Sequence, residues 1–128
     1  MNPIICGIAA VIGHIWTVFA GFRGGKGVGT ATGMIVALYP IAALVCFGIF
    51  VGVVYLTRYI SLGSMIAATC LPLVLLLGER TFKNEVPDAM FQFSVALTVL
   101  IIYTHRQNVR RLLAGTENRF GQKRSANA

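Results

Sequence analysis

Charged residues are absent from four stretches of the chain, 1–22, 27–57, 59–78 and 89–105, and gather in the short intervals between them. Such runs are at or near the ~20 apolar residues that carry a helix across a hydrocarbon core. The first predicts a spanning helix over 3–20, with Pro3 at its start, where the missing N–H costs nothing. A Gly-rich basic loop follows at 21–27. The stretch 27–57 is too long for one straight span, and Pro40 divides it. Residues 28–39 give a short or partly re-entrant helix, about 18 Å long at 1.5 Å per residue, and 40–57 give a full span. A tight polar connection at 58–61 leads to a helix over 62–77, which Pro72 is expected to kink. Residues 78–89 predict a loop of mixed charge. The last helix starts near Met90, is apolar to Tyr103 and runs on as a polar extension through Leu113. From Gly115 the chain is polar and basic and frays at its end. The expected fold is all-α, a polytopic membrane bundle of about five transmembrane or partly re-entrant helices. Its membrane-embedded domain covers 1–114 and a basic cytoplasmic tail covers 115–128.

Composition narrows the class. Of 128 residues 56% are apolar and 12% charged, about half the charge of an ordinary soluble domain. That excludes a soluble globule, and the apolar content excludes disorder. No Lys or Arg precedes the first apolar run, so it reads as a spanning helix and not as a secretory signal. Cys6, Cys46 and Cys70 all lie in apolar runs without a His/Cys cluster, which makes them small fillers and leaves a metal without ligands. Two small-residue faces, Gly25/Gly29/Gly33 and Gly48/Gly52, predict close helix–helix approach.

The net charge of +7 would point to nucleic acid in a soluble chain, but no aromatic platform accompanies the cations. Alternating the sides of the membrane accounts for it better. Nine of the eleven Lys and Arg residues then share one side with a single acid, Glu117. The positive-inside rule makes that side, and the C-terminus, cytoplasmic.

Three polar clusters fall on this positive side. In Gly24-Gly25-Lys26-Gly27, with Thr30 beyond and Arg23 before, glycines free backbone N–H groups at a helix start and Lys26 adds a full charge. A phosphate fits there, although the segment serves equally as a flexible basic loop. It is not a Walker A loop: Ala20 stands where the first glycine belongs and Gly27 replaces the Ser/Thr after the lysine. In the second cluster, Arg58 can clamp an oxyanion in bidentate fashion, while Ser61 caps the next helix or meets substrate and Ser64 follows one turn on. In the third, His105 and Asn108 are three residues apart on one helix face, extended by Arg111. They could move a proton and hold an anion, or they could end a basic helix against lipid headgroups. His14, inside the first helix, is a candidate by its position in a span or a partner for a neighbouring backbone. No Ser-His-Asp order, cysteine with a base, or carboxylate pair occurs, so any chemistry rests on cations and backbone donors.

The segments Gly13-His14, Val18-Phe19 and Phe22-Arg23-Gly24-Gly25-Lys26-Gly27-Val28-Gly29-Thr30 resemble a signature of the bacterial acyl-phosphate:glycerol-3-phosphate acyltransferases, the PlsY family. So do Leu56-Thr57-Arg58-Tyr59-Ile60-Ser61-Leu62-Gly63-Ser64 and the run from His105-Arg106-Gln107-Asn108 to Gly115-Thr116-Glu117-Asn118. The resemblance implies an inner-membrane enzyme with seven helices, of which these would be the last five. It also implies acyl transfer from acyl phosphate to glycerol 3-phosphate, giving lysophosphatidate, with no cofactor and no metal. It assigns the substrate phosphate to Gly24, Gly25, Lys26, Gly27, Thr30 and Arg58, and the catalytic contacts to Lys26, Ser61, Ser64, His105 and Asn108. The family usually begins with about two more helices and a G-S-G-N-x-G-A-T-N motif that these 128 residues do not contain. Trp16-Thr17 and Ala20-Gly21 also replace the usual Phe-Pro or Tyr-Pro and Leu-Lys pairs. The alternative expectation is a non-catalytic membrane protein: a lipid-binding or scaffold remnant, or a transporter subunit.

Overall fold

A computed structural model describes residues 3–16, 25–82 and 86–122. Six α-helices and no strand occur among them: α1 (Pro3–Ile15), α2 (Val28–Leu38), α3 (Pro40–Thr57), α4 (Ile60–Phe82), α5 (Asp88–Thr104) and α6 (Arg106–Leu113). The all-helical membrane fold expected from the charge-free runs is therefore present. Both α3 and α4 are long and apolar enough to cross a membrane, and α5 with α6 passes the same test as a pair bent by 58°. The shorter apolar helices α1 and α2 complete the described set. Of the first predicted helix, 17–20 lie outside the described residues, as do 21–24 of the loop after it.

Pro40 acts as the sequence implies. It stands at the first turn of α3, and Tyr39 before it leaves the helical region with φ −139° and ψ 69°, the backbone bias a following proline imposes. Tyr39 caps both helices: its N–H donates to Ile35 O of α2 at 2.7 Å, and its carbonyl accepts from Ala43 N–H of α3 at 2.9 Å.

Two boundaries differ from expectation. Helix α4 continues past Gly78, where the loop was expected to begin, to Phe82, carrying its backbone ladder through the charged residues Glu79 and Arg80. Both are good helix formers, so polarity there marks the end of the apolar slab and not the end of the helix. The second difference is at His105, where the predicted continuous helix breaks. The His105 N–H is shared between Ile101 O at 3.0 Å and Ile102 O at 3.1 Å, and the ring Nδ1 reaches the same Ile101 O at 2.8 Å. A side chain competing for a ladder carbonyl is a recognised cause of bending.

In the bundle α1 packs on α2, α2 on α3, α3 on α4 and α4 on α5. The core runs through Val11, Ile35, Leu71, Leu75, Met90 and Leu97. Large apolar side chains such as Leu44, Tyr55 and Leu56 point outward, as a lipid-facing surface requires. Of the glycines expected to make close approaches only Gly25 does so, against His14, and two others join it. A Cβ on Gly63 of α4 would lie 2.7 Å from Val54 Cγ2 and 3.1 Å from Phe50 O of α3, and one on Gly7 would run into Met34. Gly29, Gly33, Gly48 and Gly52 have open space where a side chain would go.

Candidate active site

The site is assembled at one end of the bundle by three turns. The first is Gly27, with φ 76° at the N-cap of α2. An L side chain would be strained there, and its Cβ would also press on Ile15 Cδ1 at 2.8 Å. This turn delivers Lys26 to the mouth of α2. Gly25 N–H donates to His14 O at 3.2 Å, so this loop donor ties α1 to the turn. His14 lies close against Gly25, whose missing Cβ leaves the room.

The second turn joins α3 to α4. Arg58 caps α3 in the left-handed region, φ 64°. Ser61 sits within the first turn of α4, and its hydroxyl does not cap the helix but donates to Glu117 Oε1 at 2.8 Å, 56 residues away. Ser64 is also buried, and it bonds back to Ile60 O of its own helix at 3.1 Å.

The third turn closes α6. Gly115, at φ 69°, donates its N–H to Leu112 O at 3.2 Å, and Thr116 N–H donates to Arg111 O at 2.8 Å. This pair of bonds is a Schellman motif, and it reverses the chain so that Glu117 returns to the site. The same segment continues to the α3–α4 turn. Phe120 N–H donates to Arg58 O at 2.7 Å, and Arg119 Nε donates to the Tyr59 hydroxyl at 3.1 Å. Of the segment set apart by composition as a tail, Glu117, Arg119 and Phe120 thus contact the site or the α3–α4 turn, while 123–128 lie outside the described residues.

A single hydrogen-bonded network results. Lys26 Nζ donates to Asn108 Oδ1 at 2.6 Å, and Asn108 Nδ2 donates to Glu117 Oε1 at 2.6 Å. Arg111 Nε meets Glu117 Oε2 at 2.7 Å. The ammonium on one side and the carboxylate on the other fix the orientation of the Asn108 amide, because a flip would oppose like partners at both ends. The Glu117 side chain is 5% exposed and receives three donors. Burial alone would raise its pKa; the bonds from Arg111, Asn108 and Ser61 overcome this and hold the carboxyl below its ordinary value. Partial burial lowers the pKa of Lys26, Glu117 opposes that shift and Arg111 adds to it. Two cations against one carboxylate leave a positive excess suited to an anionic ligand.

His105 is 2% exposed. Since Ile101 O can only accept, Nδ1 carries the proton in this bond and Nε2 keeps its lone pair. Burial pushes the imidazole pKa down, and nearby Lys26 reinforces the shift. The neutral ring is therefore favoured.

The structure thus brings together Lys26, Ser61 and Asn108 from the three predicted clusters, with His105 adjoining them. Arg58 is exposed and bonds through its backbone, Thr30 is half-buried on the first turn of α2, and neither belongs to the network. Gly24 lies outside the described residues. The residue that the sequence left without a role is Glu117, which here pairs with Arg111 of the third predicted cluster. The signal was present: Glu117 is the one acid on the positive side, two residues after a glycine that ends a helix.

Next to the network, a cavity of about 490 Å³ descends between α2, α3, α4 and α5. Val28, Ile60, Ser64 and Ile101 stand along it near the polar residues, and Ala43 and Leu71 lie deeper. Its walls are almost wholly apolar.

Comparison with known proteins places this geometry. Residues 1–115 match the family described as glycerol-3-phosphate acyltransferase. Relatives of that name include one from Geobacter sulfurreducens, 45% identical over 89% of this chain and 56% of its own length. Another, from Chlorobium phaeobacteroides, is 42% identical over 91% of this chain and 58% of its own. Among solved structures, PlsY (YgiH), an integral membrane glycerol 3-phosphate acyltransferase, matches in its glycerol 3-phosphate form with TM-score 0.84 and 40% identity. That match covers 92% of this chain and 56% of PlsY. The lysophosphatidic acid form matches with the same TM-score. The chain spans a little over half the length of these relatives, and by the match over nearly all its residues it belongs to the glycerol-3-phosphate acyltransferase family.

Proposed function

We propose that this chain carries the reaction centre of an acyl-phosphate:glycerol-3-phosphate acyltransferase and yields lysophosphatidate. The observation that carries this reading is the network from Lys26 through Asn108 to Glu117 and Ser61, an anion-seeking cluster beside an apolar cavity. The glycerol 3-phosphate and lysophosphatidic acid forms of the related PlsY structure support the substrate and product.

In this mechanism Lys26, the backbone of Gly24–Gly27 with Thr30, and Arg58 hold substrate phosphate, and Ser61 or Ser64 hydrogen-bonds substrate through the lone pairs that its bond to Glu117 or to Ile60 O leaves open. The glycerol hydroxyl oxygen attacks the acyl carbonyl carbon, an ester C–O bond forms, and the bond from that carbon to the phosphate oxygen breaks. Inorganic phosphate leaves. The hydroxyl proton passes to Nε2 of His105 or to a substrate phosphate oxygen. Acyl phosphate is already activated, so no covalent enzyme intermediate is needed, and placing two anions together with electrostatic stabilisation supplies the rate. The charge asymmetry supports a site and a C-terminus on the cytoplasmic face, and the family resemblance supports a bacterial inner membrane.

The test is acyl transfer from acyl phosphate to labelled glycerol 3-phosphate by the chain reconstituted in lipid. Formation of lysophosphatidate, lost in Lys26→Ala and His105→Ala, is expected. Wild-type turnover in both variants would remove the site assignment. A folded chain without turnover would favour a non-catalytic, lipid-binding membrane protein.

A further inference from the structure

The outer face of α6 has no part in the network, and its chemistry is that of a membrane surface. The 58° bend at His105 turns α6 away from the direction of α5. On its inner face lie Asn108, buried, and Arg111, paired with Glu117. On its outer face Arg106, Arg110 and Leu113 follow at intervals of four and three residues, one stripe of an α-helix. All three are exposed, Leu113 to 85%. Among the described residues neither Arg106 nor Arg110 has an ion-pair partner. Arg106 is held in place: its guanidinium lies 4.6 Å from the centre of the Tyr103 ring, and Nη1 donates to Tyr103 O at 3.2 Å. Tyr103 is itself exposed on the last turn of α5, the depth at which aromatic rings mark the headgroup layer.

We propose that the outer face of α6 is a docking surface for anionic phospholipid headgroups. Arg106 and Arg110 meet lipid phosphate, and Leu113 enters the acyl boundary beside them. Charge complementarity selects this occupant: two unpaired guanidiniums, one apolar edge and a neighbouring interfacial tyrosine match an anionic leaflet. The inference goes beyond acyl transfer and does not depend on it. Because Asn108 and Arg111 lie on the opposite face of the same two turns, a leaflet that holds α6 also holds the network in register.

The experiment uses the full chain in phosphatidylcholine vesicles with spin-labelled lipids, so it reads lipid contact and not turnover. Wild-type chain is expected to prefer labelled phosphatidylglycerol over labelled phosphatidylcholine, and the preference should weaken as salt rises. Arg106→Gln with Arg110→Gln should reduce the preference about fivefold per arginine at low salt, while Arg106→Lys with Arg110→Lys keeps most of it. Equal preference in the glutamine variant, or a wild-type preference absent or insensitive to salt, would overturn the proposal. The salt titration needs only the wild type, so a glutamine variant that fails to fold does not protect the idea.

Discussion

Lys26 and Asn108 are 82 residues apart in sequence and 2.6 Å apart in space. That bond joins the glycine turn before α2 to the inner face of α6, and Glu117 completes it from the far side of the amide. Asn108→Leu removes the acceptor for Lys26 and a donor to Glu117 together. Loss of one preorganised donor at a reacting anion lowers kcat by about 100-fold or more. Steady-state acyl transfer should show that loss for Lys26→Met, with a rise in KM for glycerol 3-phosphate, and a smaller loss for Asn108→Leu, which acts through the misplaced ammonium.

Glu117→Gln keeps the shape and removes the charge. Arg111 is partly exposed and recovers some hydration, so the cost is that of weakened hydrogen bonds to a buried group, about 1–3 kcal/mol. Unfolding in denaturant should show it as a lower midpoint. The carboxyl is held below its ordinary value, so its contribution is fully present above about pH 4.3, the unfolded value, and is lost as pH falls below that. The wild-type advantage over Glu117→Gln should therefore shrink in acid.

His105 has the other pH signature. Its imidazole is held below 6.5 in the folded chain, so the unfolded chain binds more protons just below that value. Stability should rise with pH as it climbs toward about 6.5 and then level off. The rate of acyl transfer should follow on the acid side, since the protonated ring has lost the lone pair on Nε2. A pH series of wild-type turnover should read the acid limb of the rate, and His105→Gln should abolish that of stability in a pH series of denaturation midpoints.

The division of α2 from α3 was legible because proline constrains its own backbone and that of Tyr39 before it. The bend at His105 was not legible, since the sequence from Tyr103 to Leu113 is compatible with one helix. It arises from a ring nitrogen that takes up a backbone carbonyl, which periodicity does not register. Lys26, Ser61 and Asn108 were legible as members of polar clusters on one side of the membrane. The joining of those clusters required Glu117, whose isolation among cations was visible while its return through the Gly115 turn was not. Small-residue spacing was informative only at Gly25, which makes room for His14, because Gly29, Gly33, Gly48 and Gly52 meet nothing while Gly63 bears a close contact.

Those glycines give a paired test of packing. Gly63→Val forces a side chain against Val54 and the Phe50 carbonyl, and overpacking of this kind costs about 1–3 kcal/mol. Gly48→Ala meets open space and relieves the backbone entropy of a helical glycine, a gain of about 0.5–1 kcal/mol. Thermal unfolding in detergent should move down for the first and up for the second.

The central claim is that residues far apart in sequence meet at one membrane face. It is tested most directly by cysteines at positions 26 and 108 in a chain whose three native cysteines are replaced by alanine, with reconstituted vesicles treated with a short bifunctional thiol reagent. Efficient cross-linking within one chain is the expected result, together with labelling of single cysteines at the exposed positions 26 and 106 by an impermeant reagent from the same side. Labelling of the two positions from opposite sides would contradict it.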